Sequence, residues 1–275
     1  MCGITASIAL QGNKLAPLNS TPSLPPSELS SQLDASVHSI VHRGPDSFNH
    51  WVSPEGSHIG LGHARLSIND LSPSGTQPLH SDCGTIHAVV NGEIYDQDRL
   101  WRECRENHGY TFSSESDSEL VVALYKIHGV PGLFKELRGE FAFVLYDSRP
   151  ESRKVIAARD RFGIKPLVWT LAGDRLLVAS ETKALKELGW NKPQWDVDAI
   201  VSAGWMLDER TLFKGVQKVL PGQYLEVSEE GVLEKKTYWD AEYEDKVSSS
   251  RSLDARARGN VDNLLNADQS RNPHH

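Results

Sequence analysis

Residues 1–10 read MCGITASIAL and combine a cysteine next to the initiator methionine with a short apolar run. Gly3 to Leu10 has the apolar, partly β-branched composition that predicts a strand. Removal of Met1 would give Cys2 a thiol and a free α-amine together. Because an unperturbed α-amine titrates near ~7.7–8.0, it can exchange a proton with an adjacent thiol at neutral pH. Cys2 is therefore a candidate nucleophile; the alternative is a small buried side chain that opens a strand.

The chain has 275 residues, 39% of them hydrophobic and 24% charged, and a formal net charge of −8. This composition is typical of a soluble globular protein with one or two domains. The negative charge argues against nucleic acid or an anionic membrane as the main partner. The start has no basic leader and no apolar run approaches ~18 residues, so we expect a cytoplasmic protein with no membrane contact. Three cysteines are too few for a disulfide framework.

The pattern of apolar residues predicts two early helices and a series of short strands. Leu29, Leu33, Val37 and Ile40 share one helical face, after a Pro/Ser-rich stretch at 16–31 that predicts a surface loop. Short apolar runs predict further strands, at Ile86 to Val90, Phe141 to Tyr146, Val155 to Ala158 and Leu176 to Ala179. Many short strands with few helices indicate an α+β fold with largely antiparallel sheets.

A second helix is predicted to begin at Ser116-Asp117-Ser118-Glu119, which has the pattern of a capping box, and to run to Gly129. This places Asp117 in the first helical turn, where the helix dipole favours a carboxylate. Arg65 lies in an apolar/polar alternation. Together, Arg65 and Asp117 could hold the carboxylate and the ammonium group of a free amino acid. The alternative for each is a surface ion pair or a helix cap.

Asn91-Gly92-Glu93 follows a predicted strand and places an amide side chain and a glycine N–H at its end. Such donors stabilise the oxyanion of a tetrahedral intermediate, although Asn-Gly is also a common tight-turn dipeptide. The histidines have no recognisable ligand spacing, so we expect no metal site. No glycine-rich phosphate loop is present, and we expect no cofactor.

Taken in order, these motifs resemble the class II glutamine amidotransferases, in particular the N-terminal glutaminase domain of glutamine-dependent asparagine synthetases. The motifs that carry the resemblance are Met1-Cys2-Gly3-Ile4, His42-Arg43-Gly44-Pro45-Asp46, Arg65-Leu66-Ser67-Ile68-Asn69-Asp70, Gln77-Pro78-Leu79, Asn91-Gly92-Glu93-Ile94-Tyr95, Ser116-Asp117-Ser118-Glu119, Gly139-Glu140-Phe141-Ala142-Phe143, Arg159 to Leu167, Ala179 to Leu185, Pro221 to Leu225 and Tyr238-Trp239. The resemblance implies an N-terminal nucleophile hydrolase fold, a four-layer αββα sandwich of antiparallel sheets.

The resemblance also implies roles for particular residues. Cys2 would be the N-terminal nucleophile that attacks L-glutamine and releases ammonia. Asn91 and the Gly92 N–H would form the oxyanion hole. Arg65 would bind the α-carboxylate of glutamine, while Asp117 and the Gly92-Glu93 segment would bind its α-ammonium group.

The resemblance covers residues 1–240, and we expect residues 241–275 to be a polar connector or disordered tail. Relatives continue into an ATP-dependent synthetase domain with a Ser-Gly-Gly-x-Asp-Ser loop, whereas this sequence contains no Gly-Gly pair. We therefore expect a glutaminase without the synthetase domain, whose ammonia could go to a separate synthetase subunit. The alternatives are a catalytically weak scaffold that docks to such a partner, and another amidase reaction of Cys2.

Overall fold

The strand predicted after Cys2 lies at the centre of the first of two antiparallel sheets. The computed structural model describes residues 1–21, 24–54, 56–68, 70–202 and 208–242. Its strands are β1 Gly3–Gln11, β2 Lys14–Leu15, β3 Ser47–Val52, β4 Ile59–Arg65, β5 Leu79–His80, β6 Ile86–Ile94, β7 Gly139–Asp147, β8 Lys154–Arg159, β9 Val168–Ala172, β10 Arg175–Ala179, β11 Gln217–Lys218, β12 Gln223–Ser228 and β13 Glu234–Thr237. Its α-helices are α1 Pro26–Ser39, α2 Gln97–His108, α3 Glu119–Glu136, α4 Thr182–Glu187 and α5 Val197–Ser202.

The first sheet has the order β11-β9-β10-β1-β4-β3, with β2 also paired to β1, and the second has the order β13-β12-β8-β7-β6-β5. Both faces of β1 are buried, because its side chains alternate between two apolar layers. Ile4, Ala6 and Ile8 face a core shared with β7 of the second sheet. On the opposite face, Thr5 hydrogen-bonds Ser36 of α1 at 2.8 Å.

Helices cover the outer face of each sheet. The apolar residues of α1 and α4 pack on the first sheet, and those of α2 and α3 pack on the second. The result is the four-layer αββα sandwich predicted from the sequence, so the predicted fold class is confirmed.

Several local predictions were wrong. Helix α1 begins at Pro26, inside the stretch predicted as loop, since proline is well tolerated in the first turn of a helix. Helix α3 leaves the helical region at Gly129, as predicted, with φ 66° and ψ −169°, but a further helical segment, which was not predicted, continues from this kink to Glu136. Asn91 and Gly92 form no turn, because β6 continues to Ile94.

Met1–Trp239 forms one compact unit. The domain boundary near residue 240 stays a prediction. The connector predicted for 241–275 lies almost entirely outside the described residues, which end at 242.

Candidate functional site

Cys2 immediately precedes β1, and its position is set by two neighbouring segments. Its carbonyl oxygen accepts a hydrogen bond from Nε of Arg43 at 3.0 Å. Its Sγ lies 3.4 Å from the amide nitrogen and 3.6 Å from the carbonyl oxygen of Leu66, the residue after β4. The thiol is therefore held beside the loop that follows Arg65.

Burial raises the pKa of the Cys2 thiol; the hydrogen bond to Leu66 and the positive chain terminus oppose this shift more weakly. The neutral thiol therefore predominates near neutral pH. A nucleophilic role for this cysteine requires a base close enough to take its proton.

Residues 42–46 connect Cys2 to the end of β4. Nη1 of Arg43 donates to Glu181 at 2.9 Å, which fixes the guanidinium group against Cys2. Gly44 lies so close to β4 that a Cβ would be 2.2 Å from the carbonyl oxygen of Ala64, so only glycine fits there. Oδ2 of Asp46 then accepts the N–H of Ser67 at 2.7 Å. This segment positions both the cysteine and the loop that its thiol contacts.

A cavity beside Cys2 brings together residues from both sheets and from three loops. It is lined by Met1, Cys2, His63, Arg65, Leu66, Ser67, Ile68, Asp70, Gly75, Gln77, Asn91, Gly92, Glu93, Ser116, Asp117, Ser118 and Lys165. The structure thus places all six predicted site residues around one cavity; their predicted roles stay predictions.

Asn91 lies in β6, opposite Ala142 of β7, and only 1% of its surface is exposed. Neither Oδ1 nor Nδ2 of its side chain has a hydrogen-bond partner among the described residues. A buried amide left without partners costs about 1–3 kcal/mol for each unpaired group. Such a cost is typical of a functional position, and this amide borders the cavity that contains Cys2.

The N–H of Gly92 points to the same cavity because of the alternation within β6. Successive residues of a strand direct their N–H groups to opposite edges. Val90 donates to Oε1 of Gln77 at 2.7 Å, and Ile94 donates to Oδ2 of Asp117 at 2.7 Å. Gly92 lies two residues after Val90 and two before Ile94, so its N–H points to the same edge of β6. That edge opens to the cavity between Gln77 and Asp117.

Position 92 has room only for glycine, since a Cβ there would lie 2.4 Å from the carbonyl oxygen of Glu140. A larger residue would push β6 away from β7. The close pairing of these strands therefore keeps the Gly92 backbone at the cavity wall.

Arg65 ends β4 and is 8% exposed at the cavity. Its Nη1 donates to the carbonyl oxygen of Ser72 at 2.9 Å, and its Nη2 donates to that of Asp70. These bonds hold the loop 70–72 against the guanidinium group while leaving it further N–H donors. Hydrogen bonds from Ser72 hold the pKa of the Asp70 carboxyl below its usual range against the opposing effect of burial.

Asp117 and Glu93 supply negative charge to the same cavity. Asp117 is 4% exposed and precedes the first helical residue, Glu119, so its predicted place inside the first turn was wrong. The predicted capping box was wrong too, because the Glu119 carboxylate accepts hydrogen bonds from Ser113 and Ser114 instead. The carboxylates and the Arg65 guanidinium match the two charges of an amino-acid zwitterion.

Sequence reasoning assigned no role to Arg43, Gln77 or Lys165, although all three lie in the quoted motifs. Their contacts run to residues distant in sequence: Arg43 to Cys2, Gln77 to Val90, and Lys165 to Glu140 at 3.0 Å. A motif can mark such a residue as unusual, but only the fold shows which group it contacts.

The described part of the chain contains no group of three or more His, Cys, Asp or Glu residues arranged to hold a metal ion. Its helices include none that is both long and apolar enough to cross a membrane.

Comparison with known proteins places these observations in a family. Residues 1–239 match the glutamine amidotransferase domain family. Over 97% of this chain, it is 44% identical to "Amidase chry2" of Gibberella zeae and 42% identical to "Amidase chyE" of Penicillium rubens. It is 35% identical over 230 residues, 82% of its length, to "Asparagine synthetase [glutamine-hydrolyzing] 1" of Bacillus subtilis.

The chain spans 38% of the length of either amidase and 35% of that of the synthetase. A solved structure, the glutamine phosphoribosylpyrophosphate amidotransferase from B. subtilis, superposes with a TM-score of 0.61 at 19% identity. The match covers 87% of this chain and 50% of that one. At this identity the likeness supports the fold alone.

Proposed function

Since the chain belongs to the glutamine amidotransferase domain family, in its asparagine-synthetase type, we propose that it hydrolyses L-glutamine to L-glutamate and ammonia through Cys2. The observation that carries this proposal is the buried, unpartnered amide of Asn91 in the wall of the cavity that contains Cys2. An amide that bonds to none of the described residues is suited to a charge that appears only during reaction.

In the first half of the proposed reaction, the Cys2 sulfur attacks Cδ of glutamine and its proton passes to the α-amine of the same residue. The carbonyl oxygen becomes an oxyanion that accepts hydrogen bonds from Nδ2 of Asn91 and the N–H of Gly92. The tetrahedral intermediate collapses, the C–N bond breaks, and the α-ammonium group protonates the departing nitrogen to give ammonia.

In the second half, water attacks the γ-glutamyl thioester while the Cys2 amine takes a proton from it. The C–S bond breaks, and the sulfur leaves with that proton as the glutamate carboxyl group is formed. Met1 must be absent, because an amine in peptide linkage could not carry the proton.

The charges in the cavity support glutamine as the substrate. The Arg65 guanidinium would pair with the α-carboxylate, while Asp117 and Glu93 would hold the α-ammonium group. A synthetase-type acceptor of the ammonia and a part in asparagine biosynthesis belong to the same proposal and are supported by the B. subtilis relative named asparagine synthetase. The proposal includes a cytoplasmic location.

Ammonia release from glutamine by the purified chain, with loss of Met1 established by mass spectrometry, tests the proposal. Cys2→Ala should reduce release to background, while Cys83→Ala, the same change at an exposed cysteine, should not. Release from the unaltered chain that does not exceed that from Cys2→Ala would contradict the proposal.

Labelling of Cys2 by a glutamine-like diazo-ketone tests the pocket independently of turnover. Arg65→Ala should sharply slow labelling because the reagent loses its carboxylate partner. Labelling at an unchanged rate in that variant would show that Arg65 does not bind the carboxylate.

A second candidate is hydrolysis of an amide other than glutamine, which the two relatives named amidases favour. The same Cys2 and Asn91 groups would serve it. Turnover of another primary amide, abolished in Cys2→Ala and accompanied by no ammonia from glutamine, would support this candidate over the first.

A further inference from the structure

Strand β6 loses its outer neighbour just before the cavity. Residues His87 and Ala88 pair with β5, but that pairing ends at Leu79. The next residue of β6 that directs its N–H to this edge is Val90, by the alternation of strand hydrogen bonds. At Val90 this edge no longer has a paired strand among the described residues, so the backbone groups of Val90 need another partner.

The Gln77 side chain takes the place of the absent strand. Its Oε1 accepts the N–H of Val90 at 2.7 Å, and its Nε2 donates to the carbonyl oxygen of Val90 at 3.1 Å. A side-chain amide has the same donor and acceptor as a peptide group, so it reproduces both bonds of a strand pair. Gln77 is 4% exposed, which shields the two bonds from water.

We infer that Gln77 is a positioning residue that sets the place of Asn91 and Gly92 by bracing Val90. This inference rests on the proposed function, because it assigns Gln77 to the oxyanion hole of that reaction. Gln77 acts through the backbone of the residue that precedes Asn91. The two bonds to Val90 fix β6 immediately before the Asn91 side chain and the Gly92 N–H, which both border the cavity.

His63 completes the brace from the first sheet. Its Nε2 donates to the same carbonyl oxygen of Val90 at 3.2 Å. Both backbone polar groups of Val90 are thereby bonded by Gln77 and His63, whereas its neighbours Val89 and Asn91 direct theirs to β7. Loss of one bond would leave a buried backbone group unpaired or let the strand move towards water.

Displacement of catalytic donors by about 1 Å lowers rates by roughly 100-fold, whereas binding of the substrate's distant charges is affected much less. Gln77→Leu keeps the approximate size of the side chain and removes both bonds. We expect its kcat for glutamine hydrolysis to fall about 10- to 100-fold with little change in KM.

Gln77→Glu gives the sharper test because one of its bonds depends on pH. The carboxylate can accept the N–H of Val90, but it repels the carbonyl oxygen to which Nε2 normally donates. Protonation restores a donor. The ratio of kcat in the variant to kcat in the unaltered chain should therefore rise as pH falls from 8 to 5.5.

Gln223→Glu makes the same chemical change in β12, outside the cavity, and its ratio should stay flat across this range. A flat ratio for Gln77→Glu, or a Gln77→Leu variant with normal kcat, would overturn the inference. An increase confined to KM would do so too, because it would make Gln77 a binding group.

Amide hydrogen exchange at Val90, followed by NMR, separates this inference from the proposed function. Exchange should be faster in Gln77→Leu than in the unaltered chain, whether or not glutamine is hydrolysed. If the unaltered chain releases no ammonia, the proposed function fails while exchange still reports the brace. Unchanged exchange at Val90 in Gln77→Leu would show that no brace exists.

Discussion

The two sheets contribute to the cavity in opposite ways. The first sheet brings Cys2, whose sulfur and carbonyl oxygen already contact Leu66 and Arg43. The second brings Asn91, whose buried amide contacts no hydrogen-bonding group of the described residues. The Cys2 wall of the cavity is thus formed by groups that already have hydrogen-bond partners, and the Asn91 wall by a side chain that has none among the described residues.

This difference separates what folding provides from what the proposed removal of Met1 would add. The Asn91 wall lies within a nine-residue strand paired along its length with β7, so the fold alone sets it. The Cys2 wall stands at the end of the chain, where Met1 still borders the cavity. Changes at the two walls should therefore lower glutamine hydrolysis for different reasons and by different amounts.

Retention of Met1 should have the largest effect. A chain released by proteolysis with Cys2 at its terminus should hydrolyse glutamine, whereas one that keeps Met1 should be slower by about three orders of magnitude or more. The reason is that a peptide nitrogen cannot relay the proton of a thiol whose pKa is already raised by burial.

The two forms can be compared by ammonia release, with intact mass confirming each terminus. Both should show the same thermal unfolding, which would exclude a folding defect. Equal turnover of the two forms would mean that the terminal amine takes no part in the reaction. The Cys2 wall would then need no processing, like the Asn91 wall.

Asn91→Ala should have the next largest effect. We expect kcat to fall by about two to three orders of magnitude with KM almost unchanged, as for a donor used only in the transition state. Stability should hold or rise slightly, because the change removes two unpaired buried polar atoms.

Steady-state kinetics and thermal denaturation of Asn91→Ala measure both effects, and Asn49→Ala on exposed β3 is the matched control. A large increase in KM with normal kcat would instead identify Asn91 as a binding group. Marked destabilisation would mean that its amide has a structural partner.

The sequence predicted those parts of the site that depend on short motifs, and missed those that depend on contacts between residues distant in sequence. Cys2, Asn91 and Asp117 lie in short motifs whose chemistry is readable locally, and the fold class followed from the same ordered motifs. The Asn-Gly dipeptide also suggested a turn, but pairing with β7 outweighs that local preference. Pairing between two strands so distant in sequence cannot be read from the few residues around Asn91.

Helix α2 and the role of Gln77 were not predicted for related reasons. Residues 97–108 are mostly polar, with Leu100 and Cys104 as the buried side chains, so their apolar periodicity is weak. Gln77 precedes a proline and contacts a strand thirteen residues away. A glutamine in such a place is indistinguishable, by sequence, from a solvated loop residue.

Arg43→Met should have a smaller effect on activity than either change above. It removes the hydrogen bond to the Cys2 carbonyl oxygen and the ion pair with Glu181 while keeping most of the buried stem. We expect kcat to fall about tenfold, because the nucleophile is positioned less firmly although all reacting groups remain.

Arg43→Lys should retain more activity than Arg43→Met, since an ammonium group can replace one of the two contacts. Lys183→Met, which removes a more exposed partner of Glu181, is the matched control and should leave kcat unchanged. A loss in that control as large as in Arg43→Met would assign the effect to Glu181 alone.

The smallest effect on activity near neutral pH is expected for His63, which links the two sheets by donating to Val90 and acts on stability instead. Burial lowers its pKa to about 3, so the folded protein keeps the ring neutral where the unfolded chain binds a proton, near 6.5. Stability is therefore unaffected by this group above pH 6.5 and falls as pH decreases below it, by at most about 1.4 kcal/mol per pH unit.

His63→Gln keeps an N–H donor and removes this titration, so its free energy of unfolding should depend less steeply on pH between 6 and 4.5. Denaturant titrations at several pH values measure the slope, and His108→Gln on exposed α2 controls for loss of an imidazole. His87, whose pKa burial lowers to about 4, contributes equally to all three proteins, so the difference isolates His63. If His63→Gln and the unaltered chain have the same slope, the His63 ring is not held neutral in the folded protein, which would contradict this prediction.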